Sequence, residues 1–194
     1  MIMENRRFMN KYAMQYGTYM GIFWIAKFAF FPLGLSIPFL ELFFLVLTIM
    51  VPFVGYFFTR MYRDKVCGGE ISFGHAWVFT TFMFMFSALL TSVAHYTYFR
   101  FVDNGYIANT YLYMVREASK NPGAAGMADA LKQIEQTLKM MSGMRPIELI
   151  MQLLSQNVIY GAFFALPIAL VVRKKALVTM SEEQEKDNQE ENKE

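Results

Sequence analysis

Residues 39–59 read FLELFFLVLTIMVPFVGYFFT, a run whose one charge, Glu41, stands close to its start. A hydrocarbon core about 30 Å thick is crossed by roughly 20 helical residues. The run is continuously apolar rather than alternating, so helix is the form that lets it satisfy its own backbone in lipid. Pro52 removes a backbone donor and predicts a kink. Outward from this stretch lie three more of the same kind: residues 13–32, charged only at Lys27, residues 76–99, and residues 147–172, with Pro167 inside. The expected fold is an all-α membrane protein, a four-helix transmembrane bundle forming one domain over residues 1–175.

Composition agrees. Apolar residues make up 55% of the 194 and charged residues 18%, against about 25% charged in an average soluble domain. Charge gathers in short blocks between the apolar runs. Arg6, Arg7 and Lys11 precede the first run, Arg60, Arg63 and Lys65 follow the second, and Arg173, Lys174 and Lys175 follow the fourth. The turn at 33–38 carries no charge. These basic blocks belong on the cytoplasmic side, which places both termini in the cytoplasm of a multi-pass protein of the bacterial inner membrane. The N-terminal run lacks a small-residue cleavage site after it and is expected to stay as a span. Cys67, the single cysteine, excludes an intramolecular disulfide and reads as a small turn residue beside Gly68 and Gly69. Residues 176–194 form an acidic cytoplasmic tail, expected to be disordered because residues 181–194 contain nothing apolar to bury.

The outer loop at 100–145 has its own pattern. Asp103-Asn104-Gly105 and Asn121-Pro122-Gly123 are turn signals. Between them Ile107, Tyr111, Met114 and Val115 share a helical face. After the second turn Met127, Leu131, Ile134, Leu138 and Met141 form a narrow apolar stripe. An amphipathic helical hairpin is expected between the third and fourth spans, and Pro146 suits the first turn of the fourth.

Two stretches carry a family resemblance. Ile71-Ser72-Phe73-Gly74-His75-Ala76-Trp77 enters the third span, and Tyr96-Thr97-Tyr98-Phe99-Arg100-Phe101-Val102-Asp103 leaves it. They resemble small bacterial membrane proteins of the domain of unknown function 4199 family, over most of the chain up to Lys175. The family more often carries an acid where His75 stands, so the resemblance implies no shared role for His75. It implies no activity or cofactor either. Its one hint at a partner is a membrane glycosyltransferase that uses polyprenyl phosphate, whose genes neighbour those of the family.

Polar residues within spans are costly and mark function or helix contacts. With the spans in alternating directions, Lys27, Glu41, His95, Gln152, Gln156 and Asn157 gather toward the outer half and compose a candidate polar pocket. Thr91 and His95 are i,i+4 neighbours, as are Gln152 and Gln156. A structural alternative pairs Lys27 with Glu41 and lets the amides bond between helices. Gly17 and Gly21 in the first span, and Gly161 and Ala165 in the fourth, have the four-residue spacing that lets helices approach closely, within the chain or in a homodimer. No catalytic, cofactor or metal signature is present: His75 and His95 lie near opposite ends of one span, and the methionines lack Cys or His at ligand spacing. The basic residues are juxtamembrane and suit membrane lipid rather than nucleic acid. The leading expectation is a non-enzymatic accessory or scaffold subunit for a membrane-protein partner. The alternative is a small transporter or channel built on the outward-facing pocket, and a sensor reading the envelope through its hairpin comes third.

Overall fold

The computed structural model describes residues 2–174; the acidic tail lies outside the described residues. Six α-helices follow one another: α1 (Ile2–Gly34), α2 (Pro38–Val66), α3 (Phe73–Phe101), α4 (Tyr106–Lys120), α5 (Ala128–Ser142) and α6 (Pro146–Val172), with a 3-10 segment at Pro122–Met127. The described residues are therefore all-α, as the sequence predicts.

Among the described residues three helices, α2, α3 and α6, are long and apolar enough to cross a membrane. The sequence predicts four. The difference lies in α1, whose 33 residues include Asn10, Lys11, Gln15, Thr18 and Lys27 and so are less continuously apolar. The two flanking helices wear their large apolar side chains outward. Phe39, Leu42, Ile49, Phe53 and Phe57 of α2 are exposed, as are Ile159, Phe163, Leu170 and Val171 of α6. Water would penalise such continuous apolar surfaces, whereas hydrocarbon does not.

Local chemistry sets the helix ends. Pro38 starts α2 with its fixed φ. α2 stops where Gly68 and Gly69 turn left-handed (φ 68° and 92°) and the Gly69 N–H reaches back to the Arg63 carbonyl at 3.0 Å. Ser72 caps α3 by accepting the His75 N–H at 3.3 Å. At the far end of α3, Asn104 (φ 44°) and Gly105 (φ 80°) reverse the chain into α4.

At the end where α2 stops and α3 begins, contacts bring four helices together. Tyr12 of α1 lies 6.0 Å, ring to ring, from Tyr62 of α2. Arg63 donates to the Val172 carbonyl at the end of α6, 2.9 Å away, and Ile71 and Lys174 form an isolated antiparallel bridge. At the opposite end Phe31 of α1 meets Phe44 of α2 at 5.2 Å and Tyr111 of α4 at 6.3 Å. α1 and α3 thus run one way, α2 and α6 the other.

α3 is the central helix, packed against both α1 and α6. Its Phe84, 1% exposed, is the shared contact. A Cβ on Gly161 of α6 would fall 2.7 Å from the Phe84 Cβ, and one on Gly55 of α2 would fall 2.7 Å from the ring tip. Trp24 of α1 stacks on the same ring at 5.9 Å. Along α1, Gly17 packs against Met83 and Phe86, Gly21 against Leu90, and Ala165 of α6 is fully buried. The small residues therefore face neighbouring helices of the same chain. Buried hydroxyls link the helices too: Thr59 and Thr80 lie 2.9 Å apart, and Ser87 donates to the Gly17 carbonyl at 2.9 Å. Such bonds average about 0.6 kcal/mol between membrane helices.

Residues 106–142, between α3 and α6, form a hairpin of α4 and α5. Leu112, Val115 and Leu131 are its buried centre, and Arg116 bridges to Glu135 at 3.3 Å. The apolar stripe of α5 divides: Leu131 is buried, Leu138 and Met141 are half-buried, and Met127 and Ile134 remain exposed. On α4 the buried residues are Leu112 and Val115, while Met114 points outward.

Candidate functional site

Beneath the hairpin lies a cavity of about 490 Å³, bounded by α1, α2, α3, α4, α5 and α6. Helical periodicity explains its lining. Trp24, Lys27, Phe28 and Phe31 recur at i, i+3, i+4 and i+7 on one face of α1. Thr91, His95 and Phe99 are four apart on α3, and Leu149, Leu153 and Asn157 are four apart on α6. Leu138, Met141 and Tyr111 roof the cavity from the hairpin.

The lining is graded. Along α3 the aromatic Phe99 stands eight residues beyond Thr91, about 12 Å along the axis. Along α1, Phe31 stands seven beyond Trp24. Phe31, Phe44 and Phe99 form an aromatic collar near the hairpin, and Trp24, Thr91 and Asn157 form a polar floor nearer the middle of the helices. Lys27 and His95 sit between the two levels.

Three polar atoms at or just above this floor are buried without a hydrogen-bond partner: Trp24 Nε1, Thr91 Oγ1 and His95 Nδ1. Trp24 and Thr91 are only 7% and 2% exposed. Aromatic rings lie against two of the three residues: Phe28 is 4.1 Å from the His95 ring, and Phe84 stacks on Trp24. The Lys27 amine lies 5.3 Å from the centroid of Phe44, within cation–π range. Among the described residues it makes no ion pair. The carboxylate of Asp103 also borders the cavity. It is already committed, accepting the N–H groups of Gly105 at 3.0 Å and Ile107 at 3.1 Å, where it caps α4.

Of the residues that the sequence points to, Lys27, His95 and Asn157 border this cavity, whereas Glu41, Gln152 and Gln156 are exposed and lie outside its lining. Glu41 stands against the α1–α2 turn. The α1–α2 turn is so tight that a Cβ on Gly34 would fall 2.9 Å from the Glu41 Cα. The Tyr111 phenol is pushed above its ordinary range, first by burial and then by the Glu41 carboxylate. Lys27 and Glu41 form no ion pair, because one faces the cavity and the other the outside. Trp24, Thr91, Asp103 and Ser142 join the lining without having been singled out as a set. The spacing of Trp24 to Lys27, and of Thr91 to His95, was the signal available for the first two.

Comparison with known proteins adds one match: a family model described as "Protein of unknown function (DUF4199)" aligns with residues 15–174. No curated protein and no solved structure matches the chain.

Proposed function

Starting from this chain's membership of the DUF4199 family, we propose that it is a four-span inner-membrane protein that binds a ligand in the cavity under its outer hairpin. Both termini are cytoplasmic in this reading. α1 is the fourth span, since it packs along α3 and reaches from the Tyr12–Tyr62 contact at one end to the Phe31–Tyr111 contact at the other. Basic residues support the orientation: Arg60, Lys65, Arg173 and Lys174 cluster at the end held by the Arg63–Val172 bond.

The observation that carries the ligand reading is the cavity itself. Its size lies within the range of small-molecule sites, roughly 300–1,000 Å³, and its mostly apolar wall with a few convergent polar groups is their usual composition. Binding without chemistry is the economical account, because the polar groups include no nucleophile paired with a base. Native mass spectrometry of protein extracted in neutral detergent tests it. A small-molecule adduct is expected on the wild type and absent from Ala108→Phe, which fills the cavity from α4. Identical spectra for the two would overturn the reading.

A second reading, an accessory subunit for a membrane-protein partner such as a polyprenyl-phosphate glycosyltransferase, is favoured by the exposed Met127, Ile134 and Met140 along the hairpin. Charge substitutions there would abolish partner copurification and leave the adduct in place.

A further inference from the structure

We infer that the cavity takes a small anionic amphiphile, its carboxylate or phosphate head on the polar floor and its apolar body within the aromatic collar. This rests on the ligand-binding reading above and names the chemistry of that same site.

The floor is built of donors. An indole N–H can only donate, a lysine ammonium can only donate, and a threonine hydroxyl and an asparagine amide can do so. Trp24 Nε1 and Thr91 Oγ1 are buried and unpartnered, and His95 Nδ1 is unpartnered beside them. Unmade bonds of this kind cost free energy unless a ligand makes them. Lys27 adds a positive charge that no carboxylate among the described residues neutralises. The single carboxylate in the lining, Asp103, is held at the opposite, outer end by the amides of α4. The occupant that best answers the Lys27 charge and the indole, hydroxyl and amide donors is an acceptor-rich anion, bound by charge-assisted hydrogen bonds.

The rest of the lining excludes a bare anion. Above the floor the walls are Phe28, Phe31, Phe44 and Phe99, and the roof is Leu138 and Met141. These surfaces gain from covering an apolar body and offer a hydrated ion nothing. Size bounds that body, for about 490 Å³ suits a single medium-length chain rather than a two-chain phospholipid. The polarity is also inverted relative to a lipid in the surrounding leaflet, because the donors lie deeper than the collar. The site is thus suited to an amphiphile held with its head toward the middle of the helices, rather than to bilayer lipid in its usual orientation.

Trp24 makes the test direct. In Trp77→Phe protein it is the one remaining tryptophan, and its indole lines the site. Fluorescence titrations would use the full chain in phosphatidylcholine nanodiscs. The probes are dodecyl phosphate, dodecanoate, dodecan-1-ol and inorganic phosphate. Saturable shifts are expected with the first two, at least about tenfold weaker binding with the alcohol, and no response to inorganic phosphate. Adding Lys27→Met should weaken dodecyl phosphate about tenfold and leave the alcohol unchanged, while Lys27→Arg should retain binding. Equal affinity for the alcohol and the phosphate ester would overturn the anionic head. Binding of inorganic phosphate alone would overturn the amphiphile. If Ala108→Phe abolishes every response while Lys27→Met changes none, the cavity stands and the anionic head falls. If Ala108→Phe changes nothing, the ligand-binding reading falls with it.

Discussion

Gly161 of α6 lies so close to Phe84 of α3 that a Cβ added to the glycine would stand 2.7 Å from the Phe84 Cβ. The neighbour at that point is the root of a side chain, which cannot swing aside. Gly161→Ala should therefore push α6 away from α3 and lower stability by about 1–3 kcal/mol, the usual cost of overpacking. Gly74→Ala, at a helical position of α3 where nothing lies within 4 Å, should leave stability unchanged or raise it slightly. Thermal unfolding in one neutral detergent would compare the two.

Topology is open to thiol labelling, and the structure selects the positions. Gly34 and Gly105 are poor hosts for cysteine, the first because a Cβ meets the Glu41 backbone and the second because its φ is 80°. In a Cys67→Ser background, Ile37→Cys and Lys132→Cys should react with an impermeant reagent from the periplasm. Lys65→Cys should react only after permeabilisation. Labelling of Lys65→Cys in intact spheroplasts would reverse the orientation.

Lys27 and Glu41 should behave as independent sites. Because they form no ion pair, Lys27→Met and Glu41→Gln should add to within about 0.5 kcal/mol in a double-mutant cycle. A larger coupling would mean that the two charges meet.

The hairpin should loosen in acid. Glu135 is held below the usual carboxylate range, first by its bond to Lys139 and then by that to Arg116. A lowered folded-state value means that its contribution is complete above the ordinary value of 4.5 and is lost as pH falls through the lowered one. Protection of α4 and α5 amides, corrected for the slower intrinsic exchange in acid, should fall in that window, and fall less in Glu135→Gln.

The helices and their membrane character were legible in the sequence because long apolar runs admit few other structures. The family was legible from the two stretches flanking α3. The turn at Asn121-Pro122-Gly123 was legible too, and the Gly123 N–H does bond the Asn121 side chain at 3.0 Å. Facing direction was not. Gln156 and Asn157 are adjacent in sequence, yet a step of about 100° on the helix turns one outward and the other to the cavity. The polar count of a span cannot say which side its neighbours occupy. Nor could periodicity show that the α5 stripe is wider than the surface available to cover it, so that Ile134 is left exposed.

The unpaired floor is the centre of this account, and Thr91→Val against Thr59→Val is its most direct measurement. Thr59 has partners, donating to the Gly55 carbonyl at 2.8 Å and meeting Thr80, whereas Thr91 is buried with none. Replacing a bonded hydroxyl by a methyl should cost about 1 kcal/mol, and replacing an orphaned one should be neutral or stabilising by about as much. The account predicts that ligand-free Thr91→Val melts at or above the wild type while Thr59→Val melts below it. Thr91→Val melting as far below the wild type as Thr59→Val would contradict it, since the Thr91 hydroxyl would then have a structural partner and no need of a ligand.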